Sequence, residues 1–188
     1  MPSRTGESDS RPVVGLILQK NLGVQIYPVH RLDFEVSGVL LFAKNAEAHR
    51  FANHGFENHL FEKTYHALAL QSEITDGQSF RWTDKLFRGK KRAFVADHGK
   101  EAETLALKVG THSKNPQWEL WQLKPITGRS HQLRVHMSLY RSPIVGDELY
   151  GSKENWPEAG IALRAVELKI PAAGRDFGLP EKISALSF

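Results

Sequence analysis

Asp33 is the side chain best placed for covalent or proton-transfer chemistry. It closes the tetrad His30-Arg31-Leu32-Asp33, just ahead of Val36–Lys44, the most apolar strand-like run in the chain. A carboxylate at the mouth of a buried strand loses water, which raises its pKa, while the neighbouring Arg31 pulls the pKa back down. An ionised but sheltered carboxylate can act as nucleophile or base. A surface turn held by a salt bridge accounts for the same four residues on spacing alone. A second polar segment, Ile126 to His136, has Gly128 for a tight turn and Ser130 to cap a following helix, whose free N–H groups attract anions. His131 and Arg134, three apart, share a face of that helix; an amphipathic helix with a solvated basic side is the plainer reading. A third segment, Lys85 to Phe94, interleaves Lys85, Arg88, Lys90, Lys91 and Arg92 with Phe87 and Phe94. Phosphate tracking and base stacking need that mixture, and a solvated charge run also produces it.

The nine histidines suggest a metal at first sight. His49, His54 and His59 recur every five residues, which does not stack them on one helical face, and His131 and His136 have the same offset. With no H-x-x-x-H pair and no cysteine, no metal site is expected. The lack of cysteine also excludes a disulfide scaffold, an iron–sulfur cluster and a thiol nucleophile. A His131–His136 pair of the kind that cleaves RNA stays open on spacing.

These residues need a scaffold, and 188 residues with 40% hydrophobic content suffice for one core. Residues 1–11 read as a loose polar lead-in. A helix is expected over Pro12–Leu22, closed by Gly23, and a strand buried on both faces over Val36–Lys44. Asn45 is set to cap a helix over Ala46–Phe56, and Glu62–Leu70 alternates as a strand. Residues 72–100 read as a long polar connection containing at most short strands. Ala102–Val109 and Trp118–Lys124 pair as strands, Ser130–Tyr140 is helical, Pro143–Gly146 turns, and Ile161–Ile170 is the last strand. The expected class is α+β, a mixed, largely antiparallel sheet with a few flanking helices. No run reaches the roughly 20 apolar residues of a bilayer span, and no signal-peptide core opens the chain. A soluble cytoplasmic protein is expected. The net charge of +4 permits a polyanionic partner without requiring one.

Taken in order, the segments resemble the motifs of the RluA-type RNA pseudouridine synthases. His30-Arg31-Leu32-Asp33 with Ser37-Gly38 resembles the active-site motif, and Lys63-Thr64-Tyr65-His66-Ala67-Leu68 the second motif. Lys100-Glu101-Ala102-Glu103-Thr104 resembles the G-K-x-A-x-T element. Leu123–Met137, then Pro143-Ile144-Val145-Gly146-Asp147 and Tyr150-Gly151, resembles the third region. Agreement runs from about residue 27 to 168. The resemblance implies a catalytic domain over residues 12–188, with Asp33 as catalytic aspartate, Tyr65 as active-site tyrosine and Arg134 as the arginine paired with the aspartate. It implies that Arg31 enters the RNA as the target base leaves its stack; His30, Arg129, His131, Gln132 and the basic residues Lys85, Arg88, Lys90, Lys91 and Arg92 are also expected to contact RNA. It further implies isomerisation of uridine to pseudouridine in structured RNA, ribosomal RNA before tRNA, with no cofactor; a monomer without a DNA partner is expected.

The sequence also departs from the family pattern. Val36 stands where Thr is usual, Leu163-Arg164-Ala165 where L-H-A is usual, and Arg141-Ser142 replaces a Gly, adding charge where RNA would pass. The family's early strand ending in Lys-Pro-x-Gly would precede residue 1, so a domain lacking its first strand is expected. A non-catalytic RNA-binding module on the same scaffold is the alternative.

Overall fold

In the computed structural model residues 12–188 are described; the polar lead-in expected at residues 1–11 lies outside the described residues. Helix α1 spans Val14–Leu22 and ends at Gly23, whose φ of 65° satisfies the left-handed cap expected there. Three two-residue strands follow: β1 (Tyr27–Pro28), β2 (Ser37–Gly38) and β3 (Phe42–Ala43). Helix α2 (Ala46–Glu57) starts as anticipated, with Asn45 Oδ1 accepting the Ala48 N–H at 2.8 Å. Strand β4 is Glu62–Leu70, β5 Ser79–Arg88, β6 Ala93–Val95, β7 Lys100–Thr111 and β8 Trp118–Pro125. Helix α3 (Gln132–Tyr140) and a 3-10 turn at Glu148–Tyr150 precede β9 (Leu163–Lys169). A second 3-10 turn (Ala172–Phe177) leads to β10 (Lys182–Ser184).

The main sheet runs β10-β9-β4-β8-β7-β5-β6, antiparallel throughout, and β2 joins the outer edge of β9 in parallel. The mixed, largely antiparallel α+β class is therefore what the chain adopts. Helix α3 lies across β5 to β8, and its Leu133 and Met137 enter a core with Leu68, Trp82, Trp121, Leu123, Ile144 and Val145. Each large apolar side chain buried this completely contributes about 1.5–3 kcal/mol. A second cluster packs Ala52 of α2 and Ala43 of β3 with Val29, Phe61, Leu168 and Ile170.

Two expected elements differ. Residues 79–88 are a ten-residue strand inside the segment read as a connection. Its period is present, with Trp82 and Leu86 buried, but Arg81, Thr83 and Lys85 on the solvated face dilute it. Conversely, Val36–Lys44 is not one buried strand. Gly38, at φ 112°, turns the chain after two paired residues, and Phe42–Ala43 pairs with Tyr27–Pro28 instead.

Gly38 matters for the site because it follows the Asp33 segment and fixes it to the sheet. Ser37 and Gly38 pair with Arg164 and Ala165, and the Val39 N–H donates to the Ala165 carbonyl at 2.9 Å. Arg164, in place of the usual histidine, donates from Nε to Ser37 Oγ at 3.1 Å and braces the same junction. A Cβ at Gly38 would overlap the Ala165 backbone. Gly38→Ala is expected to destabilise the chain by more than about 1 kcal/mol, read as a lowered urea midpoint with an unchanged slope.

Candidate active site

Strand β4 and the segments flanking β2 and α3 converge on one cavity of about 490 Å³. Its walls carry His30, Arg31 and Asp33 from the first segment, Lys63 and Tyr65 from β4, and Arg129, His131, Gln132 and Arg134 from the third. Residues nearly a hundred apart in sequence thus share one wall. A register shift between Thr64 and Tyr65 contributes: Thr64 pairs with Glu167 and Tyr65 with Ala165, leaving Val166 as the extra residue on β9. Such a bulge re-aims the neighbouring side chains.

Arg134 is 1% exposed, and so is Asp147. Arg134 Nε and Nη2 donate to the two carboxylate oxygens of Asp147, both at 2.7 Å, a bidentate charge-assisted pair. Nη1 donates to Glu35 Oε2 at 3.1 Å, and the guanidinium carbon lies 5.1 Å from the centre of the Tyr150 ring. This corrects the expected Arg134–Asp33 pair. The guanidinium is held from behind by Asp147 and at the rim by Glu35, and among the described residues no side chain hydrogen-bonds the half-buried Asp33 carboxylate. Asp33 acts on its surroundings through its field. It helps raise Arg134, raises Tyr65 and counters the lowering of His131. Neither Asp147 nor Glu35 was singled out from sequence for a role; the signal for Asp147 was its place in the third region.

Burial sets the protonation of the walls. Loss of water pushes the Tyr65 hydroxyl up to about 12, with Asp33 adding to the shift, so the phenol keeps its proton at neutral pH. His30 is pushed down to about 4 by burial and then by the Lys63 charge. It is a neutral acceptor, with Nε2 taking the Leu41 N–H at 2.9 Å. His131 is lowered first by burial, and its Nδ1 lies 2.9 Å from the Tyr150 hydroxyl.

The start of α3 differs from expectation. His131, at φ 55°, holds the N-cap position and no side chain caps the helix, so Ser130 does not. Gln132 instead orders the preceding turn. Its Oε1 accepts from Thr127 Oγ1 at 2.7 Å and the Arg129 N–H at 3.1 Å, while Nε2 donates to the Glu103 carbonyl and to Thr104 Oγ1. Gln132 is therefore a buried bracket more than an exposed RNA contact. Arg129 Nε is bound to the Glu101 carbonyl at 2.8 Å.

Lys85, Arg88, Lys90, Lys91 and Arg92 are not part of the cavity wall. They lie along the end of β5 and the turn into β6, where Phe87 and Phe94 meet edge-on at 5.7 Å. Arg88 comes near enough to lower His131. Arg141, expected along an RNA path, instead stacks over Phe80 at 4.1 Å. The His131–His136 cleavage pair is not formed. His136 is fully buried, with Nδ1 2.9 Å from Thr104 Oγ1. Among the described residues no group of three or more His, Asp or Glu is arranged to hold a metal.

Two outcomes follow from this arrangement. Asp147→Ala leaves a buried guanidinium without its main counter-charge and is expected to cost about 3–5 kcal/mol, measured by chemical unfolding. For His30, the unfolded ring gains its proton near pH 6.5 and the folded ring only near 4. Between those values the unfolded state binds more protons, so folding stability falls as pH drops through that window. His30→Gln, which keeps an acceptor for Leu41, is expected to flatten the fall in unfolding curves taken at pH 7, 5.5 and 4.5.

Comparison with known proteins gives the same assignment as the motifs. A family model described as RNA pseudouridylate synthase matches residues 2–139. A tRNA pseudouridine synthase C of Pectobacterium carotovorum subsp. carotovorum is 30% identical, covering 92% of this chain and 51% of its own length. A ribosomal large subunit pseudouridine synthase D of Borreliella burgdorferi is 38% identical over 79% of this chain and 46% of its own. This chain spans about half the length of these relatives. The solved structure of human RNA Pseudouridylate Synthase Domain Containing 1 superposes with a TM-score of 0.76 at 26% identity, covering 90% of this chain and 72% of that one. With the ordered motifs, the matching model and the shared fold, the chain belongs to the RluA-type RNA pseudouridine synthase family.

Proposed function

We propose that this chain isomerises uridine to pseudouridine in structured RNA. The observation that carries the reading is that Asp33, Tyr65 and Arg134, separated in sequence, line one cavity. The reaction leaves the composition of the nucleoside unchanged: the bond from N1 to the sugar breaks, C5 joins the sugar, the C5 proton leaves to solvent and N1 takes up a proton in its place. It therefore needs no oxidant, reductant or co-substrate. A base inside a stem or stacked loop cannot reach the cavity, so it must be extruded at a cost of a few kcal/mol. Tyr65 offers a ring face to the extruded uracil, and its neutral hydroxyl stays next to the reacting carbon. Asp33 attacks the sugar or the ring, and both routes use an ionised carboxylate. Arg134, fixed by Asp147, contributes positive potential at that carboxylate from a position that does not have to form during the reaction. Arg31, exposed at the rim, is assigned to the space the base vacates.

Ribosomal RNA is the proposed substrate, on the likeness of the third region to that branch of the family. The relatives include proteins named for tRNA and for the ribosomal large subunit, so the assay uses both RNAs in parallel. RNA carrying 5-tritiated uridine is expected to release tritium with wild-type protein. Asp33→Asn is expected to fall below about one-hundredth of that rate while melting at the wild-type temperature. RNA that is bound in a salt-dependent way but loses no tritium would overturn the isomerase reading in favour of a binding module.

A further inference from the structure

Most cations near the cavity already have partners. Arg134 is taken by Asp147 and Glu35, and Arg129 by the Glu101 carbonyl. Arg31 is exposed to water. Lys63 is the exception. It lines the cavity, is half-buried on β4, and its ammonium makes no hydrogen bond or ion pair with any described residue. Its pKa is lowered by burial. An ammonium that has lost water without gaining a counter-charge is costly, and its charge also helps hold His30 neutral. Its Nζ faces the 127–129 turn at Gly128, where the absent side chain leaves room: a Cβ there would lie 3.7 Å from Nζ. Lys63 and Tyr65 are two apart on one strand, so they project from the same face about 7 Å apart. A nucleotide spans such a distance between its base and its own phosphate.

We propose that Lys63 and the Gly128 turn form an anion subsite that takes one backbone phosphate beside the uridine held against Tyr65. The subsite rests on the reading of the cavity as the place where an extruded uridine sits, and it adds the contact that anchors that nucleotide's backbone. Lys63 is a binding residue here; it does not touch the reacting atoms.

The test is a binding measurement on the full chain, made with Asp33→Asn to stop turnover. The probe is a fluorescent stem-loop RNA with one loop uridine, followed by anisotropy at several salt concentrations. Lys63→Gln is expected to weaken binding about tenfold and to lower the salt slope by about 0.7–0.9, the share of one phosphate. Lys63→Arg should keep the slope, and Lys114→Gln, an exposed lysine outside the cavity, should leave it unchanged. An uncharged methylphosphonate at one linkage flanking the uridine should weaken the protein with Lys63 intact and not affect Lys63→Gln. An unchanged slope in Lys63→Gln, or equal losses from the methylphosphonate in both proteins, would overturn the subsite. Tritium release is scored separately, so failure of the isomerase reading is distinguishable from failure of this one.

Discussion

A guanidinium deprived of water cannot remain charged and ordered without a fixed counter-charge, and the pairing of Arg134 with Asp147 meets that requirement. Both residues are 1% exposed and joined by two bonds of 2.7 Å. Satisfying them requires α3 and the turn before Tyr150 to meet in one arrangement. That arrangement also seats the Tyr150 ring against the guanidinium and its hydroxyl against His131. The same hydroxyl accepts the Ala93 N–H at 3.0 Å. The pair thus ties the helix carrying the arginine to the sheet edge at β6. Pairs of this kind do little for net stability compared with an apolar replacement, but losing one member is severe. Here the geometry they impose is what aims Nη1 at the cavity side.

The same loss of water gives the cavity its chemical character. Tyr65 is kept protonated and His30 is kept neutral. The charged residues of the lining are Asp33 and Glu57 of one sign, and Arg31, Lys63, Arg129 and Arg134 of the other. Two of the histidines are occupied in holding the fold. His30 supports the Leu41 backbone, and His136 lies behind α3 against Thr104.

Most of the scaffold was legible because its periods are clean. Asn45, the alternation of Glu62–Leu70 and the Gly23 terminator each specify a local geometry that the tertiary structure keeps. The ten-residue β5 was hidden by charged residues on its outer face, and Val36–Lys44 misled because apolar content does not reveal a positive φ at Gly38. Of the segments read along the chain, those around Asp33, Tyr65 and Arg134 meet in one cavity, while the 85–92 basic stretch lies outside it. The partner of Arg134 was not legible, because spacing cannot say which of three nearby carboxylates, Asp33, Glu35 or Asp147, a guanidinium will choose. Burial decided that, and burial is a property of the assembled fold.

The Gln132 bracket has a consequence for recognition. Two hydrogen bonds from Gln132 Nε2 hold residues 127–132 to β7, and two more to its Oε1 close the turn on itself, so that wall has little conformational freedom left to lose on binding. Under the proposed function, the entropic and unstacking costs then fall mainly on the nucleic acid. Where a protein surface is already ordered, RNAs presenting the same phosphates and bases are ranked by how easily each one distorts. Discrimination among uridines would then reside as much in the mechanics of the RNA loop as in the side chains that meet it.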